Sequence, residues 1–433
     1  MRLHTPAVLL LFVLLPPGPA GGQQLSAADR AQLVAMVWSD ARSSAAAWPS
    51  PRADWDSALG ATLRAAAPPQ PDLLFYRRLA RLLALLNDGQ ARVLPPPALR
   101  SRVARPPLLV TSVEHRPFVL DYAENDEMRV ARPERLAEIV AVQGIPAAAW
   151  IADSIVPEIA AATPEARWAR AVAAMLDGEK GTALHLQLRV PGGEQRGLSV
   201  TRSVSLADHW PLEPPILRVD SLPDGIVVVR VTALSDPDVV QQFDHAFPAF
   251  GGVRGLILDL RGASGDLPGY GDRILARLTI GPFPTVLRRT PQFRPGLRAL
   301  GLPDSAASWY TLAADTIAPR SDRPAYTGPI AVLSSALTAG AAEGFLAAFR
   351  NISRGVIIGT TSAGSPGAPL DLGLVKRWTV RLSATRDAFP DGADFSGIGV
   401  APEIPVVETV SDFLAGRDAT LERARAYVLE ARK

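Results

Sequence analysis

The spacing of hydrophobic positions changes along this chain, and each spacing predicts a different kind of element. Near the amino end, apolar side chains recur at helical spacing after Ser26 and again over residues 72–86. The second pattern stops at Asn87-Asp88-Gly89, which is a turn signal, and proline-rich stretches follow it. These patterns predict a small helical module over residues 23–105.

Residues 106–205 combine short strand patterns with helical ones. Thr163-Pro164-Glu165 has the capping hydroxyl and early proline of a helix start, and Pro191-Gly192-Gly193 is typical of a hairpin turn. We therefore predict a second module of strands and helices between the helical module and the rest of the chain.

Residues 206–433 alternate buried strands with amphipathic helices. Runs of Val, Ile and Leu predict strands at 225–231, 256–260, 330–334 and 355–359, with helices at 236–247, 269–278, 341–350 and 411–430. This alternation favours a mostly parallel sheet covered on both faces. Sites in such sheets form at the carboxyl ends of strands, so the candidate site loops are 261–266, 334–340 and 359–365.

The first residues have the pattern of a secretory signal peptide. Arg2 and His4 precede an apolar run over residues 7–15, and small residues follow at Gly18 and Ala20. The run is about half of the roughly 20 residues that a membrane span needs. We expect residues 1–22 to be a signal peptide, and the mature protein to be periplasmic or secreted, without stable membrane insertion.

Composition excludes several kinds of function. There is no cysteine, and the 45 basic and 43 acidic residues leave a net charge of +2. The arginines are scattered along the chain, which argues against a nucleic-acid interface. No metal-spaced cluster and no nucleotide-binding glycine pattern occurs, so we expect no cofactor.

Five short motifs occur in a fixed order and together resemble one family. They are Leu86-Asn87-Asp88-Gly89-Gln90, Gly255-Leu256-Ile257-Leu258-Asp259-Leu260-Arg261, Thr338-Ala339-Gly340-Ala341-Ala342-Glu343, Gly359-Thr360-Thr361-Ser362-Ala363-Gly364 and Gly397-Ile398-Gly399-Val400-Ala401-Pro402-Glu403. Their order and spacing resemble the tail-specific, or C-terminal processing, serine peptidases, in particular the branch related to the tricorn protease core and interphotoreceptor retinoid-binding protein. The resemblance covers nearly the whole mature chain.

The resemblance implies a fold and a domain order. It implies an α/β protein whose crotonase-like (ClpP/crotonase-type) core, with a mostly parallel sheet, occupies residues 206–433. A helical module over 23–105 and a PDZ-like α+β domain over 106–205 would precede that core. The division drawn from the hydrophobic pattern agrees with this order.

The resemblance also implies catalytic positions, and this chain departs from the family at each of them. The family's nucleophilic serine corresponds to Gly340, which has no side chain. The histidine base of the branch corresponds to Gln90, which cannot take a proton near neutral pH. The carboxylate of the branch corresponds to Ser396.

The oxyanion-stabilising positions are partly retained. The resemblance assigns backbone amides at Gly265, in a turn after the Asp-Leu-Arg strand, and at Ala341, after the nucleophile position. Asp266 in the same turn would add negative charge where negative charge develops during acyl transfer. We therefore expect the ancestral peptidase chemistry to be lost.

Other residues are candidate substitutes for the missing nucleophile and base. Ser334, Ser335 and Ser362 are candidate relocated nucleophiles, but each needs a base. The histidines outside the signal peptide (His115, His185, His209 and His245) have no triad context, and Ser365 stands where the dyad branch has lysine. Lys376, expected on a strand, is the only lysine of the core apart from the last residue, Lys433. Asp259 with Arg261, and Glu343, are read as structural.

Two hypotheses from different classes remain. The first is an exported, catalytically degenerate member of the family that binds peptide or protein segments or an apolar small molecule, or acts as a scaffold for an active paralogue. The alternative is an active serine-type endopeptidase with a relocated nucleophile. A serine-directed fluorophosphonate probe separates them.

Overall fold

The computed structural model describes residues 24–46, 54–266, 269–292, 296–301 and 308–431. The predicted signal peptide over residues 1–22 lies outside these ranges. Within them, no helix has the length and the apolar character that crossing a membrane requires.

The amino-terminal region is helical, as the hydrophobic spacing predicts. It contains α1 (Ala27–Ser44), α2 (Trp55–Ala66), α3 (Asp72–Ala84), β1 (Arg92–Leu94), α4 (Pro97–Arg100) and β2 (Val103–Arg105). Helix α1 begins at Ser26, whose side chain and that of Asp29 cap each other's backbone amides. The buried faces of α1 and α3 meet in one apolar cluster that contains Leu33, Val37 and Phe75.

The middle region is built on an antiparallel sheet. Its elements are β3 (Leu108–Val113), β4 (Arg116–Tyr122), α5 (Asp126–Ala131), β5 (Glu138–Val142), β6 (Ile145–Pro146), α6 (Ala147–Ala149), α7 (Pro164–Ala174), β7 (Gly178–Glu179), β8 (Ala183–Arg189), β9 (Gln195–Thr201) and β10 (Val204–Ser205). The main sheet has the order β3-β4-β5-β8-β9, and β6 pairs with β5. Thr163 caps α7, and residues 190–194 turn the β8–β9 hairpin.

The carboxyl-terminal region contains the longest alternation of strands and helices. Its elements are β11 (Leu217–Ser221), β12 (Ile226–Val231), α8 (Asp238–Ala246), β13 (Gly255–Asp259), α9 (Tyr270–Leu275), β14 (Phe283–Pro284), β15 (Leu287–Gln292), α10 (Gly296–Ala299), β16 (Ser308–Leu312), β17 (Thr316–Ile317), β18 (Ile330–Ser334), α11 (Ala341–Asn351), β19 (Val356–Gly359), β20 (Pro369–Gly373), β21 (Thr379–Ser383), β22 (Arg386–Ala388), β23 (Ile404–Pro405), α12 (Val410–Leu414) and α13 (Ala419–Glu430).

One sheet organises this region. Its order is β11-β12-β13-β18-β19-β23, with every pair from β12 to β23 parallel and β11 antiparallel at the edge. Alternate residues of each strand point to opposite faces. Val227 and Val229 pack into the cluster formed with α8, α9 and α11, whereas Ile226 and Val228 pack with α13. The prediction of a parallel sheet covered on both faces is correct for this sheet.

The remaining sheets of the described part are antiparallel, and two of them join the regions. Strand β1 pairs with β21, which also pairs with β20, so the helical region and the carboxyl-terminal region share a sheet. The apolar cluster of α1 and α3 extends onto Trp378 and Val380. Strand β2 pairs with β7 and β10 of the middle region, so the boundary predicted near residue 105 falls within that sheet.

Two local predictions are wrong. The helix expected over 411–430 is two helices, because Gly416 takes a φ of +67° and ends α12. Lys376 does not lie on a strand. It lies in a turn between β20 and β21 with a φ of +57°, and its Nζ approaches Asp29 at 3.4 Å.

Candidate functional site

Three loops at the carboxyl ends of neighbouring parallel strands meet in one place, as predicted. The Ala339 amide donates to the Ala263 carbonyl at 3.0 Å, and the Ala363 amide donates to the Thr338 carbonyl at 2.9 Å. The Gly340 amide donates to the carbonyl of Ser365 at 3.1 Å. The loops that follow β13, β18 and β19 are therefore fixed to one another around the start of α11.

Gly340 is the residue immediately before α11 and has an unusual backbone. Its φ of +61° and ψ of −129° lie in a region that glycine tolerates and other residues adopt at a cost. A Cβ built on it would lie 2.1 Å from the carbonyl oxygen of Gly265 and 3.3 Å from Nε2 of Gln90. The first distance is far below any real contact, so this turn as it stands accommodates glycine.

Gln90 is held against Gly340 by the turn that precedes β1. The Asp88 carboxylate accepts hydrogen bonds from the Ser383 amide at 2.7 Å, from its hydroxyl at 2.6 Å and from the Gln90 amide at 2.9 Å. This fixes the turn to β21. Nε2 of Gln90 points to the Ser365 and Gly367 carbonyls at 3.4 and 3.5 Å. Two positions that are 250 residues apart in sequence, and that the family resemblance pairs, therefore lie side by side.

Ser396, the third position taken from the resemblance, is buried and bonded to β22. Its hydroxyl donates to the Asp387 carbonyl and accepts from the Asp387 amide, both at 2.8 Å. Its hydrogen bonds in the described chain are made with β22 and not with Gln90 or Gly340. Asp387 itself lines the pocket beside Gly340.

The predicted oxyanion positions are next to each other, and one of them is already engaged. The Ala341 amide donates to the Gly265 carbonyl at 2.9 Å. In this arrangement a carbonyl oxygen of the protein occupies the place that an oxyanion would take at that amide.

The charge of Asp266 is offset. Its carboxylate is paired with Arg381 and lies 3.8 Å from Arg92. The unpaired negative charge that the sequence suggested at the oxyanion turn is therefore neutralised by strand β21 and by its neighbour β1.

The three candidate relocated nucleophiles already donate their hydroxyl protons. Ser334 donates to the Thr360 carbonyl at 2.8 Å, Ser335 donates to the Arg261 carbonyl, and Ser362 donates to Glu343 at 2.6 Å. Ser334 and Ser362 are also almost fully buried. Ser334 and Ser335 donate to backbone carbonyls, which are not bases, and the Glu343 carboxylate that accepts from Ser362 is also bonded to the Gly364 and Ser365 amides.

Glu343 ties α11 to the loop after β19. Its carboxylate accepts hydrogen bonds from Ser362 Oγ at 2.6 Å, from the Gly364 amide at 2.7 Å and from the Ser365 amide at 2.8 Å. Burial raises the pKa of Glu343 to about 7, although these hydrogen bonds favour the ionised form. The geometry agrees with a structural role for this residue.

Asp259 and Arg261 form the structural pair that the sequence suggested. Arg261 donates to both oxygens of Asp259, at 2.9 and 2.8 Å, and to Asp418 at 2.7–2.9 Å. The pair thus connects the end of β13 to the residue that caps α13.

The histidines do not enter this site in the described part of the chain. The ring of His115 lies against Trp168 at 5.6 Å, and His209 approaches Glu213 at 3.2 Å on the surface. The structure gives no contact from His185 or His245 to the loops around Gly340.

A pocket opens beside Gly340, and sequence reasoning missed the residues that give it its charge. The empty space within its outline, open solvent included, is about 450 Å³. The polar and charged residues that line it are Asp266, Asp272, Thr285, Arg288 and Asp387; Val286, Phe345, Pro366 and Ala368 supply apolar surface, and Gly269, Gly271, Gly340, Ala341 and Gly344 complete it. No motif marks Asp272 on α9 or Asp387 on β22, because only the packing of these two elements beside α11 brings their carboxylates to one pocket.

A strained residue between a buried strand and a helix, with backbone amides beside it, is the arrangement in which serine hydrolases place their nucleophile. Residues 225–406 match the model of peptidase family S41. The chain therefore carries a peptidase family S41 domain, and the family predicted from the motifs is confirmed for this segment. None of the curated proteins is detectably similar in sequence.

Solved structures share the fold over nearly the whole chain. The structure of mature CPAF complexed with lactacystin has a TM-score of 0.73 at 16% identity, with 93% of this chain and 98% of that chain covered. A putative peptidase from Parabacteroides merdae has a TM-score of 0.52 at 16% identity, with 94% and 97% covered. The photosystem II D1 C-terminal processing protease has a TM-score of 0.51 at 20% identity, with 87% and 93% covered. At these identities the likeness concerns the fold.

Proposed function

We propose that this chain is a catalytically degenerate member of peptidase family S41 that binds peptide segments in the cleft beside Gly340. The observation that carries the proposal is the pairing of Gly340 with Gln90. The position of the nucleophile has no side chain, and the side chain facing it is an amide that titrates at no physiological pH.

The surrounding contacts support the proposal. The Ala341 amide is bonded to Gly265, so the site has neither a nucleophile nor a free amide at that position. The loss of a single triad member typically leaves only about 10³–10⁴-fold catalysis over water, supplied by the oxyanion hole and binding. Because the Ala341 amide is already engaged, we expect the oxyanion hole of this chain to contribute less than that residual catalysis.

The same proposal covers the finer assignments of fold and location. Residues 23–105 would form the helical module, 106–205 a PDZ-like domain and 206–433 a crotonase-like core. The protein would be exported through the signal peptide at 1–22. Retention of the cleft without its chemistry is consistent with binding of a peptide or protein segment, or of an apolar small molecule, and with a scaffolding role beside an active paralogue.

The alternative of a peptidase with a relocated nucleophile has one observation in its favour. The hydroxyl of Ser365 is buried and has no hydrogen-bond partner in the described part of the chain. It lies against Gly89, where a built Cβ would be 1.9 Å from Ser365 Oγ. A serine next to the proposed cleft with an uncommitted hydroxyl deserves a direct test of reactivity.

The test is labelling of the full mature chain with a fluorophosphonate probe, followed by peptide mapping, in parallel with release of peptides from casein. We expect neither labelling nor release. Stoichiometric labelling at Ser365, Ser334, Ser335 or Ser362, lost in the corresponding Ser→Ala variant together with casein cleavage, would overturn the proposal. A variant with alanine at another of these serines serves as the matched control.

A further inference from the structure

We propose that the pocket beside Gly340 is a subsite for the cationic side chain of an arginine or lysine residue in a bound peptide. This inference rests on the proposed peptide-binding function and adds the class of side chain that the site selects.

The carboxylates of the pocket are only partly balanced by ion pairs within the protein. Of the three carboxylates that line the pocket, Asp266 is paired with Arg381. The Asp272 carboxylate accepts no hydrogen bond and forms no ion pair with the described residues, and Arg288 is the only cation among the described residues that line the pocket. The pocket therefore keeps an excess of negative charge.

The Asp387 carboxylate is almost fully buried, and only one of its oxygens is engaged. The Asp387 side chain is 3% exposed, and Oδ1 accepts a 3.3 Å hydrogen bond from Thr385. Nε of Arg288 approaches the same oxygen only to 3.7 Å. The other oxygen, Oδ2, accepts no hydrogen bond from the described residues. A largely buried carboxylate gains a favourable hydrogen bond when a donor reaches its uncommitted oxygen.

Burial disfavours the ionised form of both Asp387 and Asp272. Burial raises the pKa of Asp387 to about 6, and it also raises the pKa of Asp272 above its ordinary value. A guanidinium or ammonium group in the pocket would supply the missing donors and favour the ionised carboxylates.

The walls of the pocket combine apolar surface with carboxylates. Val286, Phe345 and Pro366 give apolar surface to a pocket whose carboxylates belong to other elements. The aliphatic stem of lysine or arginine packs on apolar surface while its charged end reaches polar groups. The floor includes Gly344, where a built Cβ would meet nothing within 4 Å, so the side of α11 that faces the pocket is open.

The test uses five fluorescein-labelled, end-blocked peptides of sequence Gly-Ala-X-Ala-Gly, with X as arginine, lysine, citrulline, leucine or glutamate. Binding to the full mature chain is measured by fluorescence anisotropy. Citrulline has nearly the shape of arginine without its charge, so it isolates the electrostatic contribution. We expect the arginine and lysine peptides to bind about tenfold or more tightly than the citrulline peptide, a difference that added salt reduces.

Variants assign the preference to the pocket. Asp272→Asn and Asp387→Asn should each lower the affinity for the arginine peptide several-fold and leave the citrulline peptide unchanged. Asp153→Asn, at an exposed carboxylate that does not line the pocket, is the matched control. Gly344→Leu should fill the pocket and remove binding of all five peptides. Circular dichroism melting confirms that each variant is folded.

The outcomes distinguish failure of the cationic subsite from failure of the proposed peptide binding. Equal binding of the arginine and citrulline peptides overturns the cationic subsite and leaves peptide binding intact. A preference for arginine that persists in both Asp→Asn variants also overturns the subsite. If none of the five peptides binds at millimolar concentration, peptide binding itself is overturned.

Discussion

Two glycines about one helical turn apart, Gly340 and Gly344, test whether the turn before α11 has the backbone geometry described above. Gly340 precedes α11 and Gly344 lies in its second turn, and both line the pocket. The same substitution to alanine should have opposite effects at the two positions, because only one of them has a strained backbone and a blocked Cβ.

Two effects should lower the free energy of unfolding of Gly340→Ala. The alanine backbone would keep a φ of +61°, which costs a residue with a Cβ about 1–3 kcal/mol. The Cβ would also lie 2.1 Å from the Gly265 carbonyl oxygen, so the turn must move and the bond from the Ala341 amide is lost. That bond contributes about 0.5–1.5 kcal/mol. We expect the free energy of unfolding to fall by about 2–4 kcal/mol, combining these costs.

At Gly344 the same methyl group has open space. Nothing lies within 4 Å of the built Cβ, and alanine in a helix interior is favoured over glycine by about 0.8–1 kcal/mol. We expect Gly344→Ala to raise the free energy of unfolding by about that amount.

Urea unfolding followed by far-ultraviolet circular dichroism measures both variants against the wild type. Gly60→Ala in α2, where the built Cβ makes only an ordinary 3.5 Å contact with Arg64, is a control for helix propensity alone. An unchanged midpoint for Gly340→Ala, or equal destabilisation by Gly340→Ala and Gly344→Ala, would refute the geometry on which the site is built.

Three further predictions address chemistry, pH and docking. Gly340→Ser should not release peptides from casein, because Gln90 offers no base; turnover in this variant would show that another group accepts the proton. For Glu343, the pKa of about 7 lies above its ordinary 4.5, so its stabilising contribution is full below pH 4.5 and is lost as the pH rises through 7. Wild type should therefore lose up to roughly 3 kcal/mol more than Glu343→Gln between pH 4.5 and 7.5 in urea titrations, and parallel pH profiles would contradict this. Asp88→Ala leaves two donors of Ser383 unpaired and should lower the free energy of unfolding by about 2–4 kcal/mol; a change below 0.5 kcal/mol in the same titrations would count against the contact.

The elements that the sequence predicted well are those whose signal is local. The continuous apolar runs of β12 and β13, which are buried along nearly their whole length, and the helical spacing in α3 and α11 each belong to a single element, so single segments reveal them. The strands over residues 283–317 were missed. Strand β15 is half-buried throughout and contains Pro291 and two arginines, so it has no apolar alternation to detect.

For the candidate site, too, the sequence predicts which residues matter, and only the structure shows how close together they lie. The sequence, through motifs that resemble a family, named Gly340, Gln90, Gly265 and Ala341 without showing their distances. The structure brings Gln90 to Gly340 through the bonds of Asp88 with Ser383. It also shows that the Ala341 amide is engaged, which depends on the conformation of the Gly265 turn.

The sequence by itself predicted the family of the domain over residues 225–406 and the order of its elements, and it places glycine at 340 and glutamine at 90, because residue identity and local pattern are sufficient for each of these. The tertiary structure decided the electrostatics. Asp266 is neutralised by Arg381 from β21, whereas Asp387 and Asp272 face a pocket whose described lining contains a single arginine. Charge balance depends on distances between residues far apart in the chain, and the distances are set only when the strands pack.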